Sequence, residues 1–230
     1  MGQKISPNLF RAYSKLSKTT NQSTPDASGL QPSVWFATKK NYSKLILQDK
    51  DIRDFIRLKM SAAGLVEIII RRFFKKVEVT LFVTKPGVVI GRSGATINQL
   101  KEDLIKKFLL PTDLRLDIQE YKDPFRSAKV IGQELSDAIK RGVSYRRLAK
   151  TYLEKIRYAG VLGAKIIIKG RLNGAEIARG EKFENGSVPC HTIDANIDFC
   201  RVPCKTKAGI IGIRVWLYKG DKFKNYIANQ

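Results

Sequence analysis

Three groups of residues in this sequence are of types that can hold an anion or a metal. The first is Gly91-Arg92-Ser93-Gly94. A loop that cradles phosphate needs glycine for two reasons: the backbone must adopt positive φ, and it must approach the anion with no Cβ in the way. These residues stand just ahead of an amphipathic run, so they would open a helix whose unpaired N–H groups favour negative charge. The second group is a set of cations on one predicted helix, Arg146, Arg147, Lys150, Lys155 and Arg157, with Glu154 as the acid among them. At roughly 100° per residue, Arg146, Lys150 and Arg157 gather within roughly 40° on one flank, and Arg147 lies further round the exposed side. Like charges at i and i+4 destabilise an isolated helix, so this flank gains most from a polyanionic partner. The third group is Cys190, His191, Cys200 and Cys204, four potential zinc ligands.

Nucleotide chemistry fails on spacing. Gly87 to Ser93 is one residue short of a Walker A loop and carries Arg92 where that loop requires lysine. The dinucleotide fingerprint fails as well, because Val89 stands where its second glycine should be. A nucleotide-hydrolysing helicase is therefore disfavoured. Zinc is also disfavoured: no C-x-x-C pair is present, and in a strand adjacent Cys190 and His191 would point to opposite faces. The cysteines read instead as free, small buried thiols in a reducing compartment. The sequence has one histidine, and no motif places a Ser or Cys nucleophile beside it. No catalytic residue, cofactor or metal is expected.

The bulk charge agrees with an anionic partner. Lys and Arg number 43 against 21 Asp and Glu, a formal net charge of +22. Such an excess repels itself in a folded chain and makes sense beside a dense polyanion, where counterion release drives binding. Membrane is the competing polyanion, but no apolar run approaches the length of a bilayer span. Met1-Gly2-Gln3-Lys4-Ile5-Ser6 fits a loose myristoylation template, against which stands the simpler reading of a basic arm lying on nucleic acid. The polar start does not resemble a signal peptide. With 43% apolar residues over 230 positions, the chain can fill the cores of two ordinary domains.

The elements that must position these groups can be read in order. Residues 1–50 form an arm with a polar insert at 17–33, too poor in apolar residues to order itself. A first domain spans 51–122. It opens with a helix from Asp51 to Ala63 that carries Ile52, Phe55, Ile56 and Met60. Strands follow at Leu65–Ile70 and Val77–Val83, the second placing Val77, Val79, Leu81 and Val83 on one face. After the glycine segment comes a helix striped by Ile97, Leu100, Leu104, Ile105 and Phe108 and closed by Pro111. A strand with Leu114, Leu116 and Ile118 inward completes the unit. Helix, strand, strand, glycine turn, helix, strand is the order of a type II KH domain, in which G-x-x-G clamps a single-stranded nucleic-acid backbone.

A second domain spans 123–222, with a tail at 223–230. It starts with a helix at Phe125–Arg141 and a second at about Ser144–Ala159, whose buried stripe is Tyr145, Leu148, Ala149, Tyr152, Ile156 and Ala159. Strands are expected at Lys165–Lys169, Val188–Phe199 and Ile210–Tyr218. The fold class is thus α+β, with two helices packed on an antiparallel sheet in the second domain.

The assembled residues resemble one family, the bacterial-type protein S-three of the small ribosomal subunit. Met1-Gly2-Gln3-Lys4 with Pro7-Asn8 resembles its opening, and Lys85 through Gly94 its KH loop. Gly170-Arg171-Leu172-Asn173-Gly174-Ala175-Glu176-Ile177-Ala178-Arg179 and Val188-Pro189-Cys190-His191-Thr192 resemble its C-terminal signature, and Ile211 through Trp216 its last strand. The chain departs from the family in its longer insert at 17–33 and in Arg92-Ser93, where paired lysines are more common.

The resemblance implies a structural, non-enzymatic place in the head of the small subunit, with small-subunit rRNA, mRNA and neighbouring small-subunit proteins as partners and no membrane. It also implies a position at the mRNA entry channel, where Arg146, Arg147 and Lys150 match a basic pattern that helps open structured mRNA. Gly91, Arg92, Ser93 and Gly94 would form the KH contact, with Arg157 extending the basic helix. The compartment would be bacterial cytoplasm or an organelle. The runner-up is a free-standing KH regulator of transcripts, which the C-terminal signature disfavours.

Overall fold

The computed structural model describes residues 5–11, 33–73, 76–108 and 114–221; residues 17–32 of the polar insert, Pro111 and the tail lie outside this set. The chain divides into two compact units, one within Ser23–Lys122 and one that combines residues of Met1–Gln22 with Asp123–Gln230. The chain's first described element, the single helical turn α1 (Pro7–Phe10), belongs to the second of these.

In the first unit a two-residue strand, β1 (Ser33–Val34), precedes the long helix α2 (Lys39–Lys59). The helix starts well before Asp51, where the apolar stripe begins. Its first half is lysine-rich, and its apolar residues Tyr42, Ile46 and Leu47 are exposed, so the buried apolar stripe begins only at Ile52. Ile52 and Ile56 are fully buried, and Met60 at its C-cap nearly so, at the predicted i, i+4 spacing. Gly64 ends the segment in the left-handed region and turns the chain into β2 (Leu65–Arg72), which pairs antiparallel with β3 (Val77–Val83). A short helix α3 (Pro86–Ile90) and then α4 (Ala95–Phe108) return the chain to β4 (Leu114–Glu120), parallel to β3. Parallel strands need such a crossover, and these two helices supply it. The sheet order is β1-β2-β3-β4.

Val77, Val79, Leu81 and Val83 face a core shared with Leu100 and Leu104 of α4, as their alternation predicts. Thr80 and Phe82 on the opposite face of β3 are buried too, as befits an inner strand. A buried carboxylate ties β1 to the helix: Asp49 of α2 accepts from Ser33 Oγ at 2.6 Å, from Trp35 Nε1 at 2.8 Å and from Arg72 Nε at 2.9 Å.

The second unit is built on α5 (Ala128–Lys140) and α6 (Tyr145–Tyr158) and a four-stranded antiparallel sheet. The strands are β5 (Gly163–Gly170), β6 (Arg179–Gly186), β7 (Ala195–Thr206) and β8 (Gly209–Asp221), in the order β6-β5-β8-β7. Ile131 and Leu135 of α5, with Ala149, Leu153 and Ile156 of α6, pack on Ile166, Ile168, Ile213, Val215 and Leu217. Leu153 belongs to the buried stripe, whereas Leu148 and Tyr152 lie only partly covered at its edge.

Two differences from the sequence reading bear on the site. The strand expected from Val188 begins instead at Ala195. Residues 187–194 form a loop because Pro189 lacks a donor and because nearby carbonyls turn to a buried guanidinium. That group is Arg11, only 1% exposed, which donates to the carbonyl oxygens of Pro189 at 3.3 Å, Cys190 at 3.0 Å and Thr192 at 2.7 Å. Asn8 Nδ2 donates to the carbonyl oxygen of Phe199 at 3.1 Å, so α1 is docked on β7 rather than extended as a free arm. The second difference is β6, an edge strand that local pattern did not predict.

Candidate nucleic-acid interface

The glycine segment is held at both ends. Pro86 starts α3 in the one helical position where a missing donor costs nothing. Val89 is fully buried in the core, which fixes the short helix against the unit. Gly91 then takes φ +71° and ψ −173°, a combination open in practice to glycine. A Cβ on Gly91 would sit 2.8 Å from Thr96 Cβ, so the loop is also packed too closely for any side chain there. Arg92–Gly94 form a single 3-10 turn leading into α4, and Arg92 is exposed. The segment thus points a cation and the start of a 14-residue helix outward from one rigid turn.

An open cleft of about 520 Å³ begins one turn further along α4. Its apolar lining residues are Ile97, Leu114 and Leu116. Asn98 and Lys101 of α4, Glu78, Arg115 and Asp117 of the strands, and Lys76 just before β3 complete its lining. Arg115 is partly engaged by Asp117 at 3.1 Å.

The cations of α6 divide by what they touch. Arg146 is paired with Glu181 of β6: Nε donates to Oε2 at 3.0 Å and Nη2 to Oε1 at 2.6 Å. The hydroxyl of Tyr145 donates to the same Oε1 at 2.8 Å. Hydrogen bonds from Arg146 and Tyr145 hold the Glu181 carboxyl down at about 2, and the same carboxylate raises the Arg146 guanidinium. Lys155 lies over the rings of Phe125 at 5.5 Å and Tyr152 at 5.2 Å. Arg147, Lys150 and Arg157 are exposed and have no ion-pair partner among the described residues. The glycine loop and the basic helix belong to different units.

The cysteines do not gather. Cys190 is exposed, Cys200 partly covered and Cys204 buried, so the buried-thiol reading holds for Cys204 and not for Cys190. Among the described residues no group of three or more His, Cys, Asp or Glu could hold a metal ion. Local pattern does not reveal Glu181, because it does not reveal β6. The available signal was the alternation of Glu181, Phe183 and Asn185, partly covered residues on the inward face of the strand.

Comparison with known proteins adds a specific likeness. Residues 135–217 match the family described as "Ribosomal protein S3, C-terminal domain", and residues 51–126 match "KH domain". The chain is 36% identical to small ribosomal subunit protein uS3c of Guillardia theta over 226 residues, 98% of this chain and 99% of the relative. It is 40% identical to small ribosomal subunit protein uS3 of Chlamydia trachomatis serovar D over 190 residues, 83% of this chain and 84% of the relative. It is also 40% identical to uS3 of Roseobacter denitrificans over 189 residues, 82% of this chain and 80% of the relative.

Proposed function

This chain belongs to the ribosomal protein S3 family, a structural and non-enzymatic one, and from that membership we propose that it binds small-subunit rRNA and mRNA in the head of the small subunit. Its relatives are bacterial and plastid proteins, so it works in a ribosome of the bacterial cytoplasm or of an organelle. Neighbouring small-subunit proteins complete its surroundings. The KH unit contributes Gly91, Arg92, Ser93 and Gly94 at an RNA backbone. The exposed side of α6 contributes Arg146, Lys150 and Arg157 from its basic flank, with Arg147 beside them, to phosphates of entering mRNA.

The observation that carries the second assignment is the absence of internal ion pairs at Arg147, Lys150 and Arg157 among the described residues, while Arg146 alone is balanced by an acid. A face built only for solubility is served better by mixed charge. The proposed action on structured mRNA is passive: the flank favours separated strands, and the energy for opening comes from translocation.

The test is the salt dependence of binding to an unstructured RNA oligonucleotide. Replacing Arg146, Arg147 and Lys150 with Ala should reduce the slope of log K against log salt by about 2, at about 0.7 per lost single-strand phosphate contact. An unchanged slope would remove the flank from the RNA interface.

A further inference from the structure

Glu181 is a carboxylate on the edge strand β6, opposite Ile168 of β5 and close to the cations Arg146 and Arg179. Electrostatics alone makes it a liability there, since it repels the phosphates that its neighbours would attract. The geometry gives it a different use. Both oxygens take the same edge of the Arg146 guanidinium, at Nε and Nη2, which leaves the Nη1 side for another acceptor. The side chain of Arg146 stays 61% exposed while that of Glu181 is 22% exposed, so the free side of the guanidinium meets solvent. Tyr145, itself 3% exposed, supplies the anchor: its hydroxyl holds Oε1, and its ring lies 5.7 Å from the Arg146 guanidinium carbon. Arg147 and Lys150 have no comparable hold.

We propose that Glu181 is a positioning residue of the mRNA-binding flank, fixing Arg146 through one edge of its guanidinium so that the other edge is presented ready-oriented to a phosphate of single-stranded RNA. This rests on the reading of α6 given above. An arginine ordered in advance loses less freedom on binding, and its planar fork makes that order useful for a bidentate phosphate contact. The low pKa of the Glu181 carboxyl follows from the same contacts and keeps it ionised throughout the physiological range. Glu181 does not touch the RNA; it acts through Arg146.

The proposal can be tested by the sign of one substitution. Glu181→Gln removes a negative charge from a phosphate-binding surface, so a role limited to charge predicts tighter binding of an unstructured oligouridylate by the full-length chain. Positioning predicts the reverse, a loss of about 3- to 10-fold, as the Arg146 side chain becomes free to wander. In the Arg146→Ala background Glu181→Gln should then have no further weakening effect. Glu181→Asp gives a second reading that survives if the glutamine variant folds poorly. It keeps the charge, so a charge-only role leaves affinity unchanged, whereas the shorter side chain loses the two-point grip and weakens binding. Tighter binding by Glu181→Gln, unchanged binding by Glu181→Asp, or an equal loss with and without Arg146 would each overturn the proposal. The Arg146, Arg147, Lys150 triple alanine variant separates the two levels. If it binds as wild type, the reading of the flank fails and positioning with it. If it binds weakly while Glu181→Gln binds tightly, positioning alone fails.

Discussion

The guanidinium of Arg11 donates to the carbonyl oxygen of Cys190 at 3.0 Å, across a separation of 179 positions in sequence. Two further carbonyls, of Pro189 and Thr192, converge on the same nitrogen, and the side chain is buried with no acid as its hydrogen-bond acceptor among those contacts. Hydrogen bonds to a charged group are stronger than neutral ones. Arg11→Met, which keeps the apolar length, should destabilise the second unit by about 2–4 kcal/mol. Trp216 lies in that unit, so urea unfolding followed by its fluorescence in a Trp35→Phe background measures the effect. Amide exchange at the adjoining start of β7, from Ala195, should rise selectively, and equal protection in both proteins would show that the loop holds itself.

The glycine loop gives a contrast within four residues. Gly91→Ala meets both an unfavourable backbone region and Thr96 Cβ at 2.8 Å. Gly94→Ala shares the positive φ, at +77°, but its nearest neighbour would be Ile97 Cγ2 at 3.9 Å. The first change should cost about 2–5 kcal/mol, combining backbone strain with overpacking, and the second about 1–2. Fluorescence of Trp35 in a Trp216→Phe background reports the first unit. Equal losses at both positions would mean that Thr96 yields without cost.

Much of this architecture is written in local pattern. The i, i+4 spacing of Ile52, Ile56 and Met60, the alternation of Val77 through Val83 and the stripe through Leu100 and Leu104 each place a face that lies in the core. What local pattern lacks is set by partners distant in sequence. The loop at 187–194 is apolar enough to suggest a strand, and only Arg11 explains why its carbonyls turn aside. β6 carries one large apolar residue, Phe183, because an edge strand of this sheet covers little of the core, and so its alternation is faint. The candidate site divides the same way. Glycine spacing and the charge of α6 are local, but the pairing of Arg146 with Glu181 spans 35 positions and needs the fold.

Thiol reactivity follows from burial. Cys200 is pushed up to about 11, first by burial and then by nearby Asp198, and Cys204 is buried with its thiol donating to the carbonyl oxygen of Ser136 at 3.4 Å. The thiolate is the nucleophile, so at pH 8 Cys200 holds far less of it than an ordinary thiol. Raising the pH towards 11 should recover that reactivity. Alkylation of the native chain at pH 8 should therefore modify Cys190 alone, with all three cysteines reacting in urea. Peptide mass mapping decides it, and rapid native labelling of Cys200 would show that the strand opens locally.

The last prediction concerns the work of α6 in translation. Arg146, Arg147 and Lys150 project from a helix held by Tyr145, Ala149, Leu153 and Ile156, none of which changes when the three cations become alanine. Alanine is also a good helix former, so the variant unit should fold and assemble. The change in charge falls on the exposed side of α6 only. A ribosome carrying the variant should read an unstructured message at the normal rate, because no strand separation is needed. On a message with a stable hairpin it should slow, since the preference for separated strands is reduced while the duplex is as stable as before. If the flank contributes about 1 kcal/mol of that preference, passage slows roughly fivefold. Arg146→Ala should contribute more than its share, because it also leaves the Glu181 carboxylate facing the strand without its partner. Restoring charge with lysines at 146 and 147 should recover only part of the rate, as lysine cannot take the two-point contact that Glu181 offers arginine. Equal slowing on both messages would instead indicate an assembly defect, and no slowing on either would place these cations on rRNA or in solvent.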